Sequence, residues 1–82
     1  MEFIIVQGKK KTGEFIKSNI PVLINGEANG KTLQPIKLDS GIVEISLAIA
    51  GAVPAMVTVE NTTATQPLKV VINIDAPKVK KA

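Results

Sequence analysis

Apolar and polar residues alternate with a period of two over several short stretches of this chain, and Gly, Asn, Asp or Pro stands at the ends of those stretches. The clearest alternation runs from Val43 to Ile49: Val43, Ile45, Leu47 and Ile49 fall on one side, and Glu44, Ser46 and Ala48 on the other. Leu68, Val70, Ile72 and Ile74 repeat it against Lys69, Val71, Asn73 and Asp75. Such a period is the mark of a strand with one buried face. Weaker segments of the same kind are residues 2–7, Glu14 to Ser18, Ile20 to Asn25, Pro35 to Asp39, and the stretch where Val57 and Val59 alternate with Met56, Thr58 and Glu60. Six or seven short strands, with turn signals roughly every 8 to 12 residues, predict an all-β chain folded as a small antiparallel β-sandwich or barrel without substantial helix.

Turn chemistry supports that reading. Asn25-Gly26 and Asn29-Gly30 are strong hairpin signals, because Asn and Gly reach positive φ at little cost. Two such pairs so close together predict a compact loop with little strand between them. Gly41 closes an Asp39-Ser40-Gly41 turn that folds the chain back, and Gly51 breaks the alternation after Ile49. Gly8 and Gly13 flank Lys9-Lys10-Lys11-Thr12, which reads as the solvated turn of a first hairpin. Pro21 has no N–H to donate to a ladder, so Ile20, Pro21, Val22, Leu23 and Ile24 are expected to lie at a sheet edge or to begin a strand there. The alanine-rich stretch from Leu47 to Val57 does not read as helix. Gly51 and Pro54 together would cost about 4 kcal/mol there relative to alanine.

The composition bears on size and chemistry. Eighty-two residues make one domain, and a domain of that size hides roughly 60% of its unfolded surface. The sandwich is expected over residues 1–77, with a basic, flexible tail over 78–82. Phe3 and Phe15 are the only aromatic residues, and both read as core positions. Cys, His, Arg, Trp and Tyr are all absent. Disulfides, thiolate metal sites, the imidazole acid–base group and the thiol nucleophile are therefore excluded. Glu44 and Glu60 fall on solvent faces, and no two acids form a close pair in sequence. Residues 25–30 carry one carboxylate, too few for a calcium loop. Residues 8–13 lack the glycine and lysine order of a phosphate loop. The expectation is a protein that is not an enzyme and carries no cofactor or metal.

Charge is distributed unevenly along the chain. Residues 1–12 hold Lys9, Lys10 and Lys11 against Glu2, residues 13–77 hold four lysines against six acids, and the last five residues hold Lys78, Lys80 and Lys81. The two lysine clusters offer contacts for phosphates or another anionic surface. The acidic body, the missing arginine and the shortage of exposed aromatic rings argue against base recognition. Glu2 sits where a secretory leader would be positive. The uncharged run Ile45 to Val59 is interrupted by Gly51 and Pro54 and falls short of the ~20 residues of a membrane span. As written, the chain is expected to be soluble and cytoplasmic.

From residue 18 to residue 51 a longer motif is present: Val22-Leu23-Ile24-Asn25-Gly26, Gly30-Lys31-Thr32, Pro35-Ile36-Lys37-Leu38, Gly41, Val43 to Ile49, and Gly51. This resembles the PEGA domain, a small β-sandwich repeat of bacterial and archaeal surface and membrane-anchored proteins. The Pro-Glu-Gly-Ala signature itself is absent, with Pro21 near its place, and transthyretin-like, carboxypeptidase-regulatory-like and Ig-like sandwiches have a similar pattern. The resemblance implies a scaffold or attachment role without catalysis. The expected function is a structural or protein-interaction module that meets a protein partner or its own copies through an exposed edge strand. The alternative is weak binding of nucleic acid or an anionic surface through the two lysine clusters.

Overall fold

A computed structural model describes residues 2–74, which form seven strands in two facing sheets; among these residues there is no helix. The strands are β1 (Glu2–Lys10), β2 (Pro21–Ile24), β3 (Glu27–Lys31), β4 (Ile36–Leu38), β5 (Gly41–Leu47), β6 (Ala55–Val59) and β7 (Leu68–Ile74). One sheet has the order β4-β1-β7 and the other β3-β2-β5-β6. The all-β sandwich expected from the alternation is the fold observed.

The core lies between the sheets and is almost entirely aliphatic. The three-stranded sheet contributes Ile4, Val6, Ile36, Leu38, Val70 and Ile72, and the four-stranded sheet Val22, Val43, Ile45, Leu47 and Val59. Short branched side chains of this kind fill the roughly 10 Å between facing sheets. Gly8 also faces inward: a Cβ there would stand 3.1 Å from Leu47 Cδ1 and 3.3 Å from Ile16 Cδ1. It is a packing glycine inside β1, not the start of a turn, so Lys9 and Lys10 belong to the strand. Neither phenylalanine is in the core. Phe3 lies on the outer side of β1, and Phe15 is exposed.

Several connections differ from the sequence reading. Residues 14–18 do not form a full strand; Phe15 makes a single antiparallel bridge to Lys9, after which the chain crosses to the other sheet. The Lys10 N–H donates to Glu14 O (2.7 Å) and the Ile16 N–H to Gly8 O (2.8 Å), closing a stub of a hairpin. Asn25 (φ 52°) and Gly26 (φ 86°) form the two-residue turn joining β2 to β3, with both central residues at positive φ. Asn29 and Gly30 form no second turn. They lie within β3 as a bulge opposite Val22, between the Pro21–Lys31 and Leu23–Ala28 pairs. A Cβ on Gly30 (φ 76°) would stand 2.7 Å from Ile36 Cγ1. Gly41 carries the chain from β4 in one sheet to β5 in the other rather than folding it back beside β4. Gly51 (φ 87°) sits in a turn where the Ala52 N–H donates to Ile49 O, and Ile49 beside it is exposed.

One pairing is parallel: β1 and β7 run side by side from Ile4–Leu68 to Lys10–Ile74. Alternation encodes which face of a strand is buried and carries no information about its direction. No hairpin joins β1 to β7, which arrives from β6 in the opposite sheet, so nothing local imposes antiparallel pairing on these two strands.

Candidate functional site

The residues 20–24 segment is not a sheet edge. β2 pairs with β3 on one side and β5 on the other, with Val22, Leu23 and Ile24 opposite Leu47, Ser46 and Ile45. Pro21 is tolerated because it opens the strand; its carbonyl accepts from the Ala48 N–H (3.0 Å). Ile20, just before it, is buried. The expected edge interaction through Ile20, Pro21, Val22, Leu23 and Ile24 is therefore corrected: their backbone is committed within the domain.

The edges are β3 and β6 in one sheet and β4 and β7 in the other. An exposed edge presents unpaired N–H and C=O groups, and proteins commonly guard such edges with charge, bulges, short length or a covering loop. Three of the four are guarded in these ways. β3 carries Glu27, Lys31 and the bulge; β4 is three residues long with Lys37 at its centre. β7 carries Lys69, and its far end is bridged by Ala52 and accepts at Asn73 O from the Val53 N–H (2.9 Å). β6, with the sequence Ala-Met-Val-Thr-Val, has no charge, no proline, no glycine and no bulge. Met56 on β6 and Ile42 on the adjoining β5 are the most exposed large apolar side chains among the described residues, at 66% and 68%. Both point to the outer face, since Met56 pairs with Glu44 and Ile42 with Thr58, while Val43, Ile45 and Val59 turn inward.

The second notable surface is the outer face of the three-stranded sheet. Phe3 pairs with Lys37, Ile5 with Lys69, Gln7 with Val71, and Lys9 with Asn73. Outward positions there hold three lysines and no acid. Lys9 Nζ lies 5.8 Å from the centre of the Phe15 ring, and Lys10 and Lys11 continue the basic character into the following turn. Lys78, Lys80 and Lys81 lie outside the described residues. Beside the turn, the 13–18 segment and Lys10 line an open hollow of about 600 Å³. Among the described residues no three carboxylates gather as a cation site would require. No helix among them is long and apolar enough to cross a membrane.

Two polar clasps fix the ends of the sandwich. Thr32 is buried, and its hydroxyl accepts from the Ile20 N–H (2.9 Å) and donates to Ser18 O (2.9 Å). Its own N–H donates to Ile20 O, and Asn19 Nδ2 donates to its carbonyl. Elsewhere, Glu2 Oε1 accepts from the Thr62 N–H (2.7 Å) and the Thr62 hydroxyl (2.9 Å), while the Phe3 N–H donates to Thr62 Oγ1 (2.7 Å). The Thr62 N–H, and after it the Thr62 hydroxyl, hold the Glu2 carboxyl below its ordinary range.

The alternation around Val57 and Val59 marked β6 as a strand, but following the proline placed the exposed edge at residues 20–24 instead. A better signal was the absence of any charge between Ala55 and Val59, when each other edge strand has at least one. Lys69 was legible as an outward position, but the face it shares with Lys37 and Lys9 appears only once β4, β1 and β7 are known to be neighbours. Comparison with protein-family models, curated proteins and solved structures finds no match to this chain.

Proposed function

We propose that this protein is a non-catalytic interaction module that engages protein through a strand edge. The observation that carries the reading is the uncharged β6 edge, with Met56 exposed on it and Ile42 on the next strand, where the other three edges are guarded. An edge of this kind binds by adding a strand: backbone hydrogen bonds supply affinity, and alternate side chains supply selectivity. The motif over residues 18–51 supports the same direction, since a PEGA-like sandwich implies attachment or scaffolding. Affinity capture with the intact protein tests it, comparing the native chain with a Met56→Lys, Thr58→Lys variant. A protein retained by the native chain and lost from the variant is the expected result. Equal capture by both, or capture by the native bait of neither another protein nor a differently tagged second copy of this chain, would overturn the reading.

A second reading, binding of a polyanion, is supported by Lys9, Lys37 and Lys69 sharing one acid-free face that leads into Lys10 and Lys11. Retention on heparin should fall steeply with salt and be lost on Lys37→Glu, Lys69→Glu substitution. Retention that is unchanged by that reversal would remove this reading.

A further inference from the structure

We infer that the β6 edge is completed by a second copy of this chain, in an antiparallel two-fold pairing centred on Val57. The inference rests on the strand-addition reading above and names its partner and register. A two-fold axis at Val57 places Ala55 opposite the partner's Val59 and Met56 opposite the partner's Thr58. The pairing is bounded naturally, because Glu60 falls opposite the partner's Pro54, which has no N–H to offer. No charge meets its own copy within these five pairs, so self-pairing places no like charges opposite one another.

Such an arrangement joins two four-stranded sheets into one of eight strands with β6 at its centre. On the outer face, Met56 lies over the partner's Thr58 and toward the partner's Ile42, because Ile42 is the neighbour of Thr58 on β5. The two most exposed apolar side chains of each copy thereby gain a shared cover. On the inner side, half-buried Val57 meets the partner's Val57 and extends the aliphatic layer across the junction. Five residues from each copy form a small interface, below the roughly 1,200 Å² of stable complexes. The expected behaviour is a reversible monomer–dimer equilibrium and not a permanent dimer.

Sedimentation equilibrium of the full chain, from about 10 μM to about 1 mM, reads this directly, a range that brackets a weak association. The apparent mass should rise from 8.7 kDa toward twice that value as concentration increases. Met56→Lys, Thr58→Lys puts lysine opposite lysine in both halves of the pairing and should abolish the rise. Met56→Lys, Thr58→Glu puts lysine opposite glutamate in this register alone and should restore it. Both positions are exposed, so the variants should keep the native circular dichroism spectrum. Val71→Lys, on the other sheet and 41% exposed in the native chain, should leave association unchanged. A native chain monomeric throughout overturns the inference while leaving strand addition to a different protein open to the capture experiment. Loss of association in Val71→Lys, persistence in the double-lysine variant, or failure of the lysine–glutamate pair to restore it overturns the assigned edge or register.

Discussion

Replacing Thr32 by valine isolates one hydroxyl in a site whose packing it barely disturbs. Valine matches threonine in shape, so the aliphatic contacts survive while Oγ1 is lost. Two backbone groups then lose a partner. The Ile20 N–H lies in a buried bond and has no route to water, whereas Ser18 is exposed and its carbonyl can be solvated. A buried donor left unpaired costs about 1–3 kcal/mol, and the lost bond to Ser18 adds about 1 kcal/mol, so the expected loss is about 2–4 kcal/mol. A domain of this length has roughly 4–12 kcal/mol in total, which makes this a large fraction of its stability. Tyr and Trp are absent, so urea unfolding must be followed by far-UV circular dichroism. With an m-value of roughly 1–1.5 kcal/mol per molar, the midpoint should fall by roughly 2 M. Thr32→Ser keeps the hydroxyl and loses one methyl group, about 1 kcal/mol. The predicted order of stability is native, then Thr32→Ser, then Thr32→Val. Valine equal to or better than serine would refute the assignment of the clasp to its hydroxyl.

Gly30→Ala should destabilise by about 2–4 kcal/mol, since it adds left-handed backbone strain to a methyl group driven into Ile36; thermal unfolding of the two proteins measures it. Glu2→Gln should flatten the acid limb of the stability–pH curve. The Glu2 carboxyl is depressed in the folded state, so its contribution is fully present above its ordinary value of 4.5 and is lost as pH falls through the lower folded value. Urea midpoints measured from pH 7 down to about pH 2 should therefore converge for the native protein and the Glu2→Gln variant at the acid end, the low end of the folded carboxylate range.

The sequence made burial legible but not adjacency. Val43, Ile45 and Leu47, and Val70 and Ile72, are buried as their alternation requires, and Asn25-Gly26 turns the chain as its backbone preferences demand. Gly8 and Gly30 read as turns because glycine marks a turn and a crowded packing site equally, and only the positions of Leu47, Ile16 and Ile36 separate the two. Pro21 marked the wrong edge, since a proline that opens a strand withholds a donor just as one at a sheet margin does. The functional surfaces were hidden for a related reason. A face made by β4, β1 and β7 joins residues 3–9, 37 and 69–73, which no local pattern connects.

The side-by-side β1 and β7 have a mechanical consequence. Because they run the same way, tension applied to Glu2 and Ile74 pulls the two strands past each other lengthwise. Every rung from Ile4–Leu68 to Lys10–Ile74 then shares the load, and none can be opened singly from one end like a zipper. A domain wired in this manner should resist stretching between these two ends more strongly than pulling in a direction that opens the rungs one at a time.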